Sequence, residues 1–593
     1  MTPSTTIVHS NVGGSPFPAS SEHPLGCKAR VLLCSVFGPY ARDDDYGSRA
    51  INPMELYHNQ VTRTQGAFSL RMFHRSWGLM LIQDNIEAPC TLLDFPSLER
   101  FIQEISRNRY DIVGISAIAP NVGKVRKMCE LIRKHLPEAT IVVGGHVANL
   151  PAIERRVNAD HIVCGEGVRW FRQFLGERQD RPIRHPRIFS GFGTRTMGVS
   201  VSDKPGDVAA TLIPSVGCPM GCEFCSTSAM FGGKGKFINF YETGDELFEL
   251  MCGLERDMRV RSFFVMDENF LLHRTRALRL LELMAAHGKS WSLYVFSSAN
   301  ALRSYRMEQL VGLGISWVWM GLEGKDSQFS KLSGADTRSL VRELQSHGIR
   351  VLGSTIIGLA EHTPANIDAA IDYAVSHDTE FHQFMLYTPL PGTPLFAKHR
   401  AQGSLLDPEC RDAADLHGQL RFFHQHPSIP AGHETDYLLR AFNRDFEVNG
   451  PSIIRVARTT LEGWKRHHNH PDPRVRLRYK WEAEGLATTH AGALWAARRW
   501  FRSNPALWKR LDAVLRDIYR HFGVRARLAA QVFGRFIHHR LCKEDKLLRM
   551  GWTYEPPTFC EKVRQPGAKA HPKSVRVARG RWLMPVPGRA VTE

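Results

Sequence analysis

The stretch Gly217-Cys-Pro-Met-Gly-Cys-Glu-Phe-Cys-Ser226 places three cysteines, Cys218, Cys222 and Cys225, within eight residues. Separations of three and then two intervening residues let the thiolates converge on one face of a tight loop. That suits an iron–sulfur cluster with three protein-bound irons and one iron left open, where a small molecule can bind. A structural zinc knuckle is the alternative, but it wants a fourth Cys or His at short spacing. The nearest downstream candidates, Cys252 and His273, lie too far along the chain.

Around this loop, residues 209–398 alternate short β-rich apolar runs with helical patterns, the mark of parallel βα repetition. Strands are expected at 210–216, 262–266, 291–296, 316–320, 350–357 and 381–386, with helices including 243–256, 274–287, 337–347 and 364–376. In such barrels the active groups sit on loops after the strand C-termini. The cysteine loop follows the first strand, Asp267-Glu268-Asn269 the second, Ser297 and Ser298 the third, and Gly321-Leu322-Glu323 the fourth. The fifth ends in Ile356 to Glu361 and the sixth in Tyr387 to Pro394.

The CxxxCxxC spacing, the aromatic Phe224 before the last cysteine and this order of strand ends resemble the radical S-adenosylmethionine core over roughly 209–396. The resemblance implies a 4Fe–4S cluster on Cys218, Cys222 and Cys225. Its open iron would chelate the amino and carboxylate groups of S-adenosylmethionine, which an electron then cleaves to a 5'-deoxyadenosyl radical. It further implies Phe224 and Ser297 beside this cofactor and Asp267 or Glu268 at the methionyl amino group. Glu323 falls in the ribose region, and Gly358 and Glu361 near the adenine. Ser354 replaces the first glycine of the GxIxGxxE motif there.

Residues 29–176 read as a separate open α/β domain, with strands at 30–36, 111–116 and 140–143 and a helix at 122–135. On that helix Leu131 and Ile132 are expected to face in, and Lys124, Arg126, Lys127 and Arg133 to face water. The strand ends carry Gly114-Ile115-Ser116, Gly144-Gly145-His146 and Cys164-Gly165-Glu166-Gly167. Directly upstream of the cysteine loop, this set resembles the cobalamin-binding domain of class B radical S-adenosylmethionine enzymes. It implies cobalamin against Gly114, Ser116, Gly144, Gly145, Gly165, Glu166 and Gly167. Ordinary turns of a flavodoxin-like fold are the alternative for each glycine. The DxHxxG motif of many cobalamin proteins is absent after the first strand, where residues 39–47 stand instead. The resemblance therefore allows a cobalt without a protein histidine beneath it.

The expected architecture is thus α/β: a flexible tail at 1–28, an open Rossmann-like cobalamin-binding domain at 29–176, a linker at 177–208, a partial (β/α)6 barrel at 209–398 and a basic helical domain at 399–593. Residues 48–96 fit no simple βαβ count and read as an inserted helical segment near the cofactor face. Asn504-Pro505 starts a helix whose stripe includes Leu507, Trp508, Leu511, Leu515, Ile518 and Phe522. A helix packing on its own domain's core is the first reading of this stripe; a basic amphipathic helix resting on an anionic membrane surface, with Trp495, Trp500 and Phe501 as anchors, is the second. His467, His468 and His470 read as an exposed basic patch, and residues after about 557 as poorly ordered.

The 593 residues carry a net charge of +18, which favours anionic partners: nucleic acid, a membrane surface or acidic substrates. With 43% apolar and 23% charged residues and no apolar run long enough to span a bilayer, a soluble chain is expected. The tail lacks a secretory pattern and the twelve cysteines show no disulfide scaffold, so a reducing cytoplasm is expected, with membrane association through the C-terminal domain. The family implies C-methylation of an unactivated carbon of a lipid or secondary metabolite, through methylcobalamin, with flavodoxin or ferredoxin as electron donor. A non-methylating rearrangement or coupling, or RNA modification, is the alternative. No RNA-binding module is recognisable, so nucleic acid is not the expected partner.

Overall fold

The computed structural model describes residues 5–9, 22–39, 45–47, 51–201, 204, 206–324, 336–406, 412–555, 558–564 and 581–583. Apolar runs buried on both faces, such as Val31–Ser35, Ile112–Ser116 and Thr140–Gly144, form the centre of a seven-stranded sheet. Such runs are what a parallel sheet covered on both sides requires. The strand order is Thr6–His9, His161–Cys164, Thr140–Gly144, Ile112–Ser116, Val31–Ser35, Cys90–Asp94 and Phe559–Arg564. Only the last is antiparallel. Helices Trp77–Asn85, Leu98–Arg107 and Val122–His135 cross between the strands, and Gly167–Phe174 follows His161–Cys164. The chain reverses direction across the sheet beside Val31–Ser35, and open α/β sheets bind ligands in the crevice beyond such a point. Ser35 and Ser116 pair in register there.

Both sheet edges depart from expectation. Thr6–His9, assigned to a tail by its composition, pairs with His161–Cys164. Phe559–Arg564, expected to lack order, closes the opposite edge against Cys90–Asp94. Lys124 is 2% exposed instead of facing water. Its Nζ donates to the Gly38 carbonyl at 2.7 Å and lies over the Phe37 ring.

The second sheet is the partial barrel: Ala210–Leu212, Ser262–Val265, Ser292–Ser297, Ile315–Gly321, Arg350–Ile357 and Phe381–Leu386, consecutive and parallel. Alternate residues Phe263, Val265, Leu293, Val295, Val318 and Met320 pack outward into a core shared with helices Gly244–Met258, Arg274–Ala286 and Thr337–Ser346. A capping box between Thr243 and Glu246 fixes the start of the first of these helices. Residues 213–214 leave the first strand, and Ser215–Val216 pairs instead with Ile238–Asn239, folding a flap over the cysteine loop.

The inserted segment is not a helical layer at the cofactor face. The turn Leu56–Val61 packs with Phe381, Leu352 and Trp317 inside the barrel, and Arg71–Phe73 pairs with Phe192–Thr196. The region 177–208 consequently contributes strands as well as connection.

Helices Glu434–Asn449, Ser452–His467, Pro473–Glu482, Ala491–Trp500 and Pro505–Arg549 complete the chain. Asn504 caps the last, and Leu507, Leu511, Leu515 and Ile518 are buried along it, while Trp508 faces out. Gly523 breaks its helical backbone. His467 is buried against Tyr479, ring centroids 4.5 Å apart, so the three histidines are not one exposed patch. Arg455 ties these helices to the barrel: it donates to Asp445 at 2.6 Å and to the Thr379 carbonyl at 2.6 Å, all three buried. Arg455→Leu strands the Asp445 carboxylate and is expected to cost about 3–5 kcal/mol, read as a lower urea midpoint of the full chain.

Candidate functional site

The cysteine loop is held from behind. Ser228 Oγ donates to the Cys218 carbonyl at 2.7 Å, and the Gly235 N–H donates to the Pro219 carbonyl at 2.8 Å. Cys225 caps the short helix Ser226–Met230, its Sγ accepting from the Ser228 N–H at 3.4 Å. All three cysteines are half-buried, and none is in a disulfide. Burial pushes the Cys218 thiol up to about 12, with Cys225, Cys222 and Glu268 adding to the rise. Coordination to iron would displace the Cys218 proton and offset that cost. Among the described residues no three His, Cys, Asp or Glu side chains converge on a single ion. A four-iron cluster instead takes its three thiolates on separate irons.

The two carboxylates after the second strand have different tasks. Asp267 is buried and engaged on every side: it accepts from Ser215 Oγ at 2.8 Å and from the Asn269 N–H at 3.1 Å, and it pairs with Arg276. Glu268 is the open one. Its Oε2 is buried without a hydrogen-bond partner, close enough to Cys218 to perturb it. Burial pushes its carboxyl up to about 8, Asp267 adding to the rise and the Gly217 backbone opposing it. A buried, unsatisfied carboxylate beside the cysteine loop fits the ammonium and sulfonium character of S-adenosylmethionine.

The other expected contacts divide. Ser297 Oγ donates to Asn269 Oδ1 at 3.3 Å, and Asn269 Nδ2 donates to Ser298 Oγ at 3.3 Å, so these residues lock the second and third loops together. Glu323 is buried at the end of the fourth strand in a left-handed backbone with φ 43°, a costly conformation for a side-chain-bearing residue. Gly358 is required by packing: its φ is +79° and a Cβ there would lie 2.4 Å from the Phe422 ring. Glu361 is exposed, and so lies outside the buried part of the site. Phe224 packs with Ile356, Leu359, Tyr387 and Leu395. Tyr387 donates to Glu223 Oε1 at 2.5 Å, pinning the cysteine loop to the sixth strand end.

In the N-terminal domain a Cβ at Gly144 would meet only the Val163 carbonyl oxygen, at 3.7 Å, an ordinary contact. Ser116 stands beside it in register. Gly145, with φ +82°, turns the chain tightly over the Ala117 carbonyl. Gly165 also takes a left-handed turn, φ 100°. Gly114 and Gly167 face side chains instead, Leu33 at 2.7 Å and Ile82 at 2.9 Å, so they serve packing. Glu166 caps helix Gly167–Phe174 by accepting from the Val168 and Arg169 N–H groups. Sequence reasoning passed over His146. Its Nδ1 is buried without a partner at this same edge, and burial lowers its basicity. Glycine backbone and an orphaned imidazole fit a large cofactor lying on the strand ends. The loop after the first strand, where the DxHxxG motif would stand, falls largely on residues 40–44, outside those described.

The two regions adjoin. Helix Ser226–Met230 touches the turn His146–Asn149, and a Cβ at Gly392, in the loop after the sixth barrel strand, would lie 3.4 Å from Asn149. A three-cysteine barrel loop therefore abuts the ligand edge of an α/β domain, which defines a two-cofactor protein.

The family model of the B12 binding domain matches residues 71–175. An uncharacterized methyltransferase of Pyrococcus horikoshii is 23% identical over 53% of this chain and 74% of its own length. Bacteriochlorophyllide d C-12(1)-methyltransferase of Chlorobaculum tepidum is 30% identical over 31% of this chain and 41% of its own. The solved radical S-adenosylmethionine methyltransferase TsrM of Kitasatospora setae, with cobalamin and a 4Fe–4S cluster bound, aligns at 15% identity and a TM-score of 0.47, over 76% of this chain and 99% of that one. Residues 71–175 thus match a B12 binding domain directly ahead of the three-cysteine barrel loop, and named methyltransferases are among the proteins this chain is similar to.

Proposed function

We propose that this protein methylates an unactivated carbon of an apolar substrate, a lipid or secondary metabolite. The observation that carries the reading is the junction of the two cofactor edges, where helix Ser226–Met230 meets the turn His146–Asn149. When bound, the cluster supplies the electron that splits S-adenosylmethionine, and cobalamin carries the methyl group. The chain's own residues do the rest. Cys218, Cys222 and Cys225 hold three irons, Glu268 takes the ligand's amino group, and Asp267 with Arg276 keeps the loop beneath it rigid. The Phe224, Tyr387 and Leu395 cluster shields the loop from water. Anaerobic reconstitution with iron, sulfide and cobalamin is expected to yield 5'-deoxyadenosine and S-adenosylhomocysteine together. Deoxyadenosine alone would mean a radical reaction without methyl transfer.

For partners, a reducing flavoprotein or ferredoxin is needed as electron source, and the C-terminal helix supports contact with an anionic membrane surface. Trp495, Trp500 and Phe501 are packed into the domain, so they do not provide the anchor. Beyond Gly523, however, Val524, Leu528, Val532 and Phe536 recur every four residues at 69%, 61%, 66% and 55% exposure. Exposed Arg525, Arg527, Arg535 and Lys543 accompany them, and residues 518–543 hold no Asp or Glu. An apolar stripe with unopposed cations matches anionic lipid. No described helix is long and apolar enough to cross a membrane. The full chain is expected to float with phosphatidylglycerol vesicles and not with phosphatidylcholine ones, and Leu528→Asp should release it. Flotation indifferent to lipid charge would reject the assignment, as would a self-association that Leu528→Asp abolishes.

A further inference from the structure

The inner wall of the barrel carries two layers of side chains with different chemistry. The lower layer is aromatic. Phe264 meets Tyr294 at 4.7 Å between ring centroids, Tyr294 meets Trp317 at 5.7 Å, and Trp317 stacks on Phe381 at 5.4 Å. Tyr57 from the inserted segment packs beneath, 6.1 Å from Phe381. Tyr57, Phe264 and Phe381 are buried, whereas Tyr294 and Trp317 are half-buried and Tyr294 continues the stack upward to Phe296, 6.2 Å away.

The upper layer, one step nearer the cofactor loops, is split. Phe296 and Trp319 are register partners on the third and fourth strands, and their rings stack at 5.0 Å and 26°. Both remain half-buried, although the outward residues on either side of them, Val295 and Val318, are fully buried. On the next two strands, one step above the stacked pair and level with Gly321, the wall turns polar: Ser354 Oγ donates to Gln383 Oε1 at 3.0 Å, and Gln383 Nε2 donates to Gln60 Oε1 at 3.3 Å. Gln60 belongs to the inserted segment, so that segment supplies one end of the polar chain.

We propose that this layer is the substrate seat, and that the substrate is a planar conjugated ring system with a hydrogen-bonding edge. The Phe296–Trp319 surface accepts a flat π face, for which offset stacking adds to area burial. The Gln60, Gln383 and Ser354 chain retains donor and acceptor capacity to meet an amide, carbonyl or ring N–H, which fixes the ring in its plane. The stacked pair lies just below the Ser297 and Gly321 strand ends and the polar chain level with Gly321, so a ring held between them presents its edge upward to the cofactor loops. A saturated, puckered polycycle loses the stacking contact and fits less well. This proposal rests on the methylation reading for its chemistry, but not for its binding measurement.

Indole-3-acetamide and its saturated counterpart cyclohexaneacetamide make a matched pair of probes, titrated into the reconstituted protein in the presence of S-adenosylmethionine. The indole is expected to bind about 3–10-fold more tightly, the size of one stacking contact. Trp319→Leu should erase that preference, and Gln383→Leu should weaken both probes while leaving the preference intact. Equal affinities, no binding of either probe, or a preference that survives Trp319→Leu would overturn the proposal. Formation of 5'-deoxyadenosine in the same samples separates the two readings: if it forms without a planar preference, only the substrate assignment falls.

Discussion

Cys222→Ala is expected to remove the visible absorption of the 4Fe–4S cluster and to reduce S-adenosylmethionine cleavage to that of a protein-free blank. The expectation follows from the loop's construction. Cys218 and Cys225 are fixed by backbone and helix-cap contacts through Ser228, but two thiolates leave a cluster that needs three protein ligands incomplete. Cys222 is half-buried on a loop, so the far-ultraviolet circular dichroism should not change. Cobalamin content should also be retained, because Gly144, Ser116 and His146 lie on a different sheet. A variant that keeps its cluster spectrum would show that another group ligates the iron.

Glu268→Gln should raise the dissociation constant for S-adenosylmethionine about 10–100-fold, since a hydrogen bond to a charged group contributes about 1.5–3 kcal/mol. Glutamine keeps the shape of the side chain and removes the charge, so the loop stays in place and the cluster spectrum should be normal. Asp267→Asn makes the informative contrast. Asp267 is buried against Arg276, and its neutralisation strands the guanidinium, so its main effect should be a lower melting temperature. Equal binding losses in the two variants would mean that Glu268 has no special access to the ligand.

Much of this arrangement was legible because its signals are local. The helix Val122–His135 and the strands Arg350–Ile357 and Phe381–Leu386 fall at the expected bounds, since an amphipathic or buried apolar run carries its own period. The edge strands Thr6–His9 and Phe559–Arg564 escaped because their partners lie far away in sequence, and short edge segments have no pattern of their own. Lys124 misled for a similar reason: a long apolar stem over Phe37 and one carbonyl for its ammonium bury a residue that the helical pattern assigns to water.

At the site, residue type and spacing identified the cysteine loop but could not divide labour between neighbours. Asp267 and Glu268 are adjacent carboxylates, and only the position of Arg276 and Ser215 shows which is already engaged. Gly114, Gly167 and Gly358 looked like ligand-facing glycines. What they face is Leu33, Ile82 and Phe422, which no single-sequence pattern reveals. His146 and the Phe296–Trp319 pair stood in the expected strands and strand ends, yet the unpartnered His146 Nδ1 and the stacking of the two rings arise only in the folded chain.

The cysteine loop and the ligand edge of the N-terminal domain adjoin where helix Ser226–Met230 touches the turn His146–Asn149. Electron paramagnetic resonance of protein carrying both the reduced cluster and cob(II)alamin tests it directly. The account predicts that the two paramagnets broaden each other's signals and speed each other's relaxation. Two independent signals, each identical to that of protein loaded with one cofactor alone, would contradict it.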